Sequence, residues 1–153
     1  LVKILSIKIS IFKFQDSATL PNRQTEGSVG YDLAACIPEG KDIEILPGEV
    51  QLISTGIGIE IPHGYEVQIR PRSGLSSKNK LLIINSPGTI DPDYRGEIFV
   101  PMMNLGKTSF FVTHGMRIAQ IILAKVESIE WEIAQTISET ERGSGGFGSS
   151  GLS

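Results

Sequence analysis

The feature that most constrains this chain is its strict alternation of apolar and polar residues in short runs, broken by turn residues. Lys8-Ile9-Ser10-Ile11 and Phe12-Lys13-Phe14 send apolar and polar side chains to opposite faces. That is the period of a half-buried strand, not of a helix. Residues 48–61 continue in strand language, and apolar, β-branched runs follow at 65–69, 81–84, 98–103, 109–113, 118–124 and 129–133. Pro47-Gly48, Pro62-His63-Gly64, Pro87-Gly88, Leu105-Gly106 and His114-Gly115 separate them. Short strands spaced about 8–12 residues apart predict an all-β sandwich, jelly roll or barrel. Only Ser73–Asn79 reads as a short helix, with Ser73 at its N-cap. At 153 residues the chain has the length of a single domain.

Charge narrows the function classes. Fourteen Lys and Arg against 17 Asp and Glu give a formal charge of −3, so no global positive field attracts nucleic acid or an acidic membrane. An anionic ligand has to be met locally by a few placed groups. The single cysteine, Cys36, excludes an internal disulfide framework and reads as a small buried apolar residue in a reducing compartment. No apolar run approaches the roughly 18 residues of a membrane span. Lys3, Lys8 and Lys13 interrupt the first 14 residues, a poor pattern for a signal peptide. The expected location is the cytoplasm.

Composition shifts near Ser138, dividing an expected β domain (1–138) from a Gly/Ser-rich tail (139–153). Residues 141–153 contain five glycines and four serines but only one aromatic, too few apolar groups to pack a core. Such a tail reads either as a disordered end or, because it carries Arg142 and Phe147, as a lid over an anionic, ring-bearing ligand.

Two segments carry candidate chemistry. In Gln68-Ile69-Arg70-Pro71-Arg72-Ser73-Gly74-Leu75 a strand gives way to the short helix. Free backbone N–H groups, the Arg72 charge, the Ser73 hydroxyl and the open Gly74 backbone suit an anion. The same residues also suit a capped turn bearing a surface arginine. In residues 85–97, Asn85-Ser86-Pro87-Gly88-Thr89-Ile90-Asp91-Pro92-Asp93-Tyr94-Arg95-Gly96-Glu97, three acids and an arginine crowd an expected hairpin. A fixed carboxylate there can take a proton from water, a contribution of roughly 10²–10⁴-fold. Asp91 and Asp93 also admit a metal pair, while Asp93 and Glu97 read best as partners of Arg95 that pin the turn. His63 and His114 lack zinc-type ligand spacing and read as solvated turn residues.

Taken in order, five segments resemble the signature segments of the trimeric deoxyuridine triphosphatases. They are Gly27-Ser28-Val29-Gly30-Tyr31-Asp32-Leu33, Pro71-Arg72-Ser73-Gly74-Leu75, residues 88–97, Gly115-Met116-Arg117-Ile118-Ala119-Gln120, and residues 142–151. The resemblance implies a jelly-roll-like β-barrel assembled as a homotrimer, with active sites at subunit boundaries and a flexible C-terminal lid. It implies hydrolysis of dUTP to dUMP and pyrophosphate, limiting uracil in DNA and supplying dUMP for dTMP synthesis. Water activated by Asp91 would attack the α-phosphorus. Arg72, Ser73, Gly74 and Gln120 match the phosphate contacts. Asn85 matches the uracil-reading amide, with backbone at Thr89 and Ile90, and Tyr94 matches the ring beneath the deoxyribose that excludes UTP. Arg142 would meet the γ-phosphate, Phe147 would stack on uracil, and Gly148 and Ser149 would donate to phosphate.

The resemblance also implies Mg2+, held by substrate phosphates and water and not directly by protein, with Asp32 as an outer-shell or structural acid. Thr89, Met116 and Ser150 depart slightly from the family pattern without removing a chemical group. Two rivals make different demands. A dCTP deaminase of the same fold needs a catalytic glutamate and no such tail. A non-hydrolysing nucleotide-binding trimer would be marked by loss of Asp91, Tyr94 or Phe147, all of which are present.

Overall fold

The computed structural model describes residues 6–146, so Phe147, Gly148 and Ser149 lie outside the described residues. In chain order the elements are β1 (Ser10–Lys13), β2 (Tyr31–Ala34), β3 (Ile43–Ile45), β4 (Val50–Ser54), β5 (Ile57–Glu60), β6 (Tyr65–Arg70), α1 (Ser73–Asn79), β7 (Leu81–Ile83), β8 (Gly88–Ile90), β9 (Phe99–Asn104), β10 (Phe110–Val112) and β11 (Arg117–Lys125). The strand pairings are antiparallel and form four sheets, ordered β2-β11-β6-β8, β4-β9-β7, β1-β5 and β10-β3.

Alternation explains the packing. Along β9, Val100, Met102 and Asn104 are buried while Phe99 faces out, as the period of a pleated strand requires. All four sheets contribute to one hydrophobic core: Leu33, Val67 and Ile118 from the largest, Ile53, Val100 and Leu81 from the second, Ile57 and Ile59 from β5, and Ile45 and Val112 from β3 and β10. Cys36 is buried at its edge, its thiol 3.4 Å from Gln15 Oε1. The strand-like run over 48–61 comprises β4 and β5, divided at Gly56, whose φ of +68° turns the chain.

Four expectations change. Ser73 lies inside α1, and Arg72 occupies the N-cap in extended conformation (φ −93°, ψ 129°) without a side-chain cap bond. Its guanidinium is instead paired with Asp32 on β2. Residues 85–97 do not form a hairpin: β8 pairs with β6, whereas β9 pairs with β4 and β7, so 91–98 crosses from one sheet to another. Residues 129–133 alternate as a strand does but join no sheet among the described residues, and Ile129, Trp131 and Ile133 are 70%, 87% and 100% exposed. His114, though exposed, is not simply solvated, because its Nδ1 accepts the Ile37 N–H at 3.2 Å.

Candidate active site

The phosphate-type residues meet on the outer face of the largest sheet. Asp32 on β2, Gln120 on β11 and Arg70 on β6 stand in one cross-strand row. Asp32, with a side chain only 14% exposed, holds two arginines: Arg72 Nε lies 2.9 Å from Oδ1 and Arg117 Nη1 3.0 Å from Oδ2. Arg72 also donates to the Arg117 carbonyl at 3.0 Å. The Arg117–Asp32 and Arg72–Arg117 contacts are charge-assisted hydrogen bonds, stronger than neutral ones, and the Arg72–Asp32 contact is an ion pair. One carboxylate shared by two guanidiniums leaves a local excess of positive charge.

A register irregularity makes this possible. Between Arg117 and Ala119 the β11–β2 pairing shifts, and Ile118 and Ala119 are both buried. Without that shift, Arg117 and Gln120 would point to opposite faces, three residues being an odd step along a strand. The bulge brings both to the outer face, a common way to re-aim a side chain. Gln120 then donates from Nε2 to the Pro71 carbonyl at 2.8 Å, tying β11 to the turn into α1. Gly30 is required by the same contact, because a Cβ there would collide with Gln120 Oε1. Ser73 and Gly74 follow at the start of α1, both exposed, and a Cβ at Gly74 would meet no other part of the described chain within 4 Å.

The nucleoside-type residues form a second group. Thr89, Ile90, Asp91, Tyr94, Glu97, Ile98 and Phe99 line a cavity of about 200 Å³, below the roughly 300–1,000 Å³ usual for a ligand pocket. β8 sets its wall through the pairs Gln68–Thr89 and Val67–Ile90. The Asn85 amide lies beside Gly88: a Cβ at Gly88 would come within 3.3 Å of Asn85 Nδ2. Tyr94 folds back across Gly96, where a Cβ would strike its ring, and its hydroxyl donates to the Glu97 carbonyl at 2.8 Å. Asp91 is exposed, and its carboxylate has no hydrogen-bond or ion-pair partner among the described residues.

The expected pairing of Arg95 with Asp93 and Glu97 does not occur. Arg95 bonds the Pro92 and Tyr94 carbonyls at 2.6 and 3.1 Å and reaches Glu60 at 3.4 Å. Glu97 is taken instead by the Ser54 hydroxyl and by the Gly56 N–H at 2.8 Å. Among the described residues no three His, Cys, Asp or Glu side chains converge as a metal-binding set, and Asp32 spends both carboxylate oxygens on arginine. Arg142 is exposed and donates to the Gly145 carbonyl at 2.8 Å.

The phosphate-type and nucleoside-type groups share no side-chain hydrogen bond or ion pair among the described residues, although β6 and β8 carry both on one sheet. Sequence reasoning quoted Arg117 within a signature segment but gave it no role. A cation three residues before Gln120 was the available signal, and the bulge that makes it matter has no mark in composition.

Comparison with known proteins points one way. The profile of a family described as dUTPase matches residues 16–151. Deoxyuridine 5'-triphosphate nucleotidohydrolase of Orientia tsutsugamushi (strain Ikeda) is 51% identical over 149 residues, covering 97% of this chain and 99% of the relative. The protein of the same name from Leptospira interrogans (strain Fiocruz L1-130) is 48% identical over 146 residues, covering 95% and 99%. Among solved structures, Staphylococcus bacteriophage 80alpha dUTPase with dUPNHPP superposes with a TM-score of 0.85 at 26% identity, covering 96% of this chain and all of that one.

Proposed function

The chain belongs to the dUTPase family and catalyses that family's reaction, hydrolysis of dUTP to dUMP and pyrophosphate; from that premise we propose that Asp91 is the base that activates the water. Water oxygen bonds to the α-phosphorus as the α–β bridging P–O bond breaks. Asp91 takes the water proton, and pyrophosphate leaves with the bridging oxygen. The observation that carries this reading is the exposed Asp91 carboxylate, without a partner among the described residues, at a cavity walled by β8 backbone and the Tyr94 ring. A general base has to be free to accept a proton, and Asp91 is.

The remaining roles are those that the resemblance to the family implies. Arg72, Ser73, Gly74 and Gln120, joined by Arg117, receive the triphosphate, and Asp32 keeps the two guanidiniums in place. Positive groups aimed beforehand at developing phosphate charge are worth more than mobile ones. Asn85 and the backbone at Thr89 and Ile90 read uracil, and Tyr94 underlies the deoxyribose. A site built to hydrogen-bond one base leaves buried polar groups unpaired with another.

Mg2+ fits as a hydrated ion carried on substrate phosphates, with Asp32 at most an outer-shell neighbour. When bound it neutralises phosphate charge. Residues 139–153 act as the lid after the β domain of residues 1–138: Arg142 meets the γ-phosphate, Phe147 stacks on uracil, and Gly148 and Ser149 donate to phosphate.

The working unit is a homotrimer of jelly-roll-like barrels. Two observations support it: the cavity is small for a nucleotide, and Ile129, Trp131 and Ile133 are left in solvent. The enzyme works in the cytoplasm, without direct nucleic-acid or membrane binding, keeping uracil out of DNA and supplying dUMP. Among the described residues no helix is long and apolar enough to cross a membrane. Pyrophosphate release with Mg2+ on dUTP, UTP, dTTP and dCTP tests the substrate assignment. Turnover of dUTP alone is the expected result, and ammonia release from dCTP would overturn it.

A further inference from the structure

The loop that carries Asp91 and Tyr94 crosses between sheets, so its position depends on what fastens its far end. Two short bonds close it on itself: Tyr94 N–H to the Asp91 carbonyl at 3.1 Å and the Tyr94 hydroxyl to the Glu97 carbonyl at 2.8 Å. Fixing the ring relative to the barrel requires a contact outside the loop. Glu97 supplies it. Its Oε1 accepts both the Ser54 hydroxyl, at the end of β4, and the Gly56 N–H, at the bend before β5. That bend is itself held, because the Gly56 carbonyl accepts the Phe14 N–H at 2.8 Å. Beside it Gly58 lets the loop lie close: a Cβ there would come within 2.9 Å of the Gly96 carbonyl. The Ile98 N–H then bonds the Ile57 carbonyl at 2.8 Å.

We propose that Glu97 is a positioning residue for Tyr94, and that through Tyr94 it sets discrimination between deoxyribose and ribose. The residue that anchors the loop by its side chain also holds the tyrosine hydroxyl by its backbone carbonyl. A shift at Glu97 therefore moves the ring with it. A loosened ring leaves room for a 2′-hydroxyl, so the loss falls on selectivity more than on hydrolysis itself. Both donors use the same carboxylate oxygen, so a neutral amide keeps both bonds and the charge is dispensable.

The proposal rests on the reading of Tyr94 as the surface beneath the sugar, and the test separates the two. The kcat/KM ratio for dUTP over UTP is measured for Glu97→Ala, Glu97→Gln, Ser54→Ala and Tyr94→Ala, with thermal unfolding of each. Glu97→Ala is expected to lower the ratio about 10-fold or more, and Glu97→Gln to keep it within about 3-fold of the parent. Ser54→Ala, which removes one donor and spares the carboxylate, lowers the ratio by less and serves if Glu97→Ala does not fold. A Glu97→Ala protein, or failing that a Ser54→Ala protein, with reduced Tm but an unchanged ratio would overturn the proposal while Tyr94→Ala loses selectivity. An unchanged ratio in Tyr94→Ala would overturn the reading of Tyr94, and the role of Glu97 with it.

Discussion

Arg72 stands at the N-cap of α1 with its Nε 2.9 Å from Asp32 Oδ1 on β2. A residue that sequence alone places in a turn is thus aimed by a strand about forty positions earlier. Asp32 also holds Arg117, and neither arginine is fully buried. The contacts therefore matter more for aim than for stability, since part-exposed ion pairs contribute about 0–1 kcal/mol.

Asp32→Asn is accordingly expected to leave the fold intact and release both guanidiniums. The kcat/KM for dUTP should fall by about 10-fold or more while denaturant unfolding changes by about 1 kcal/mol or less. Equal losses in stability and activity would show the pair to be structural.

Gly30→Ala puts a Cβ where Gln120 Oε1 lies. The amide end is flexible, so the side chain gives way before the backbone does and the bond to Pro71 is lost. Stability should drop by about 0.5–1.5 kcal/mol, the net worth of one hydrogen bond, and KM for dUTP should rise. Chemical denaturation and steady-state kinetics read the two effects.

Much of this organisation was legible beforehand. Alternation marked β1, although all four of its residues are exposed and not half-buried, and apolar, β-branched runs between turn residues marked β6, β7, β9, β10 and β11, each of which supplies core residues; the bounds of α1 agree with the sequence reading. Less legible were features that depend on distant partners. Ser73 is a favourable N-cap residue, yet Arg72 holds the cap in extended conformation, its side chain paired with Asp32 and not with the helix. Arg95 had acids on either side, yet Glu97 was already engaged by Ser54 and Gly56, a long-range contact that local charge pattern does not reveal. Residues 129–133 have a strand's alternation without a strand's partner among the described residues.

That segment gives a prediction of its own. Trp131 is the chain's single tryptophan and is 87% exposed in the isolated chain. If a homotrimer covers the apolar side chains around it, sedimentation will give three times the chain mass, and Trp131 emission will be blue-shifted and resist acrylamide. A monomer with fully quenchable emission would contradict the assembly.

A chain ended after residue 140 removes Arg142 and Phe147 and none of the hydrophobic-core residues found among the described residues. Its Tm should stay within about 2–4 °C of the parent, while kcat/KM for dUTP should fall by about 10². Unaltered kinetics would deny the tail its part as a lid.

The most direct test of the account is single-turnover hydrolysis of dUTP with Mg2+ by Asp91→Asn, with dUTP binding measured on the same protein. Asparagine keeps the size of Asp91 and cannot take the proton, so binding should persist while the hydrolytic rate falls by about 10² or more. Hydrolysis within about 3-fold of the parent would contradict Asp91 as the base.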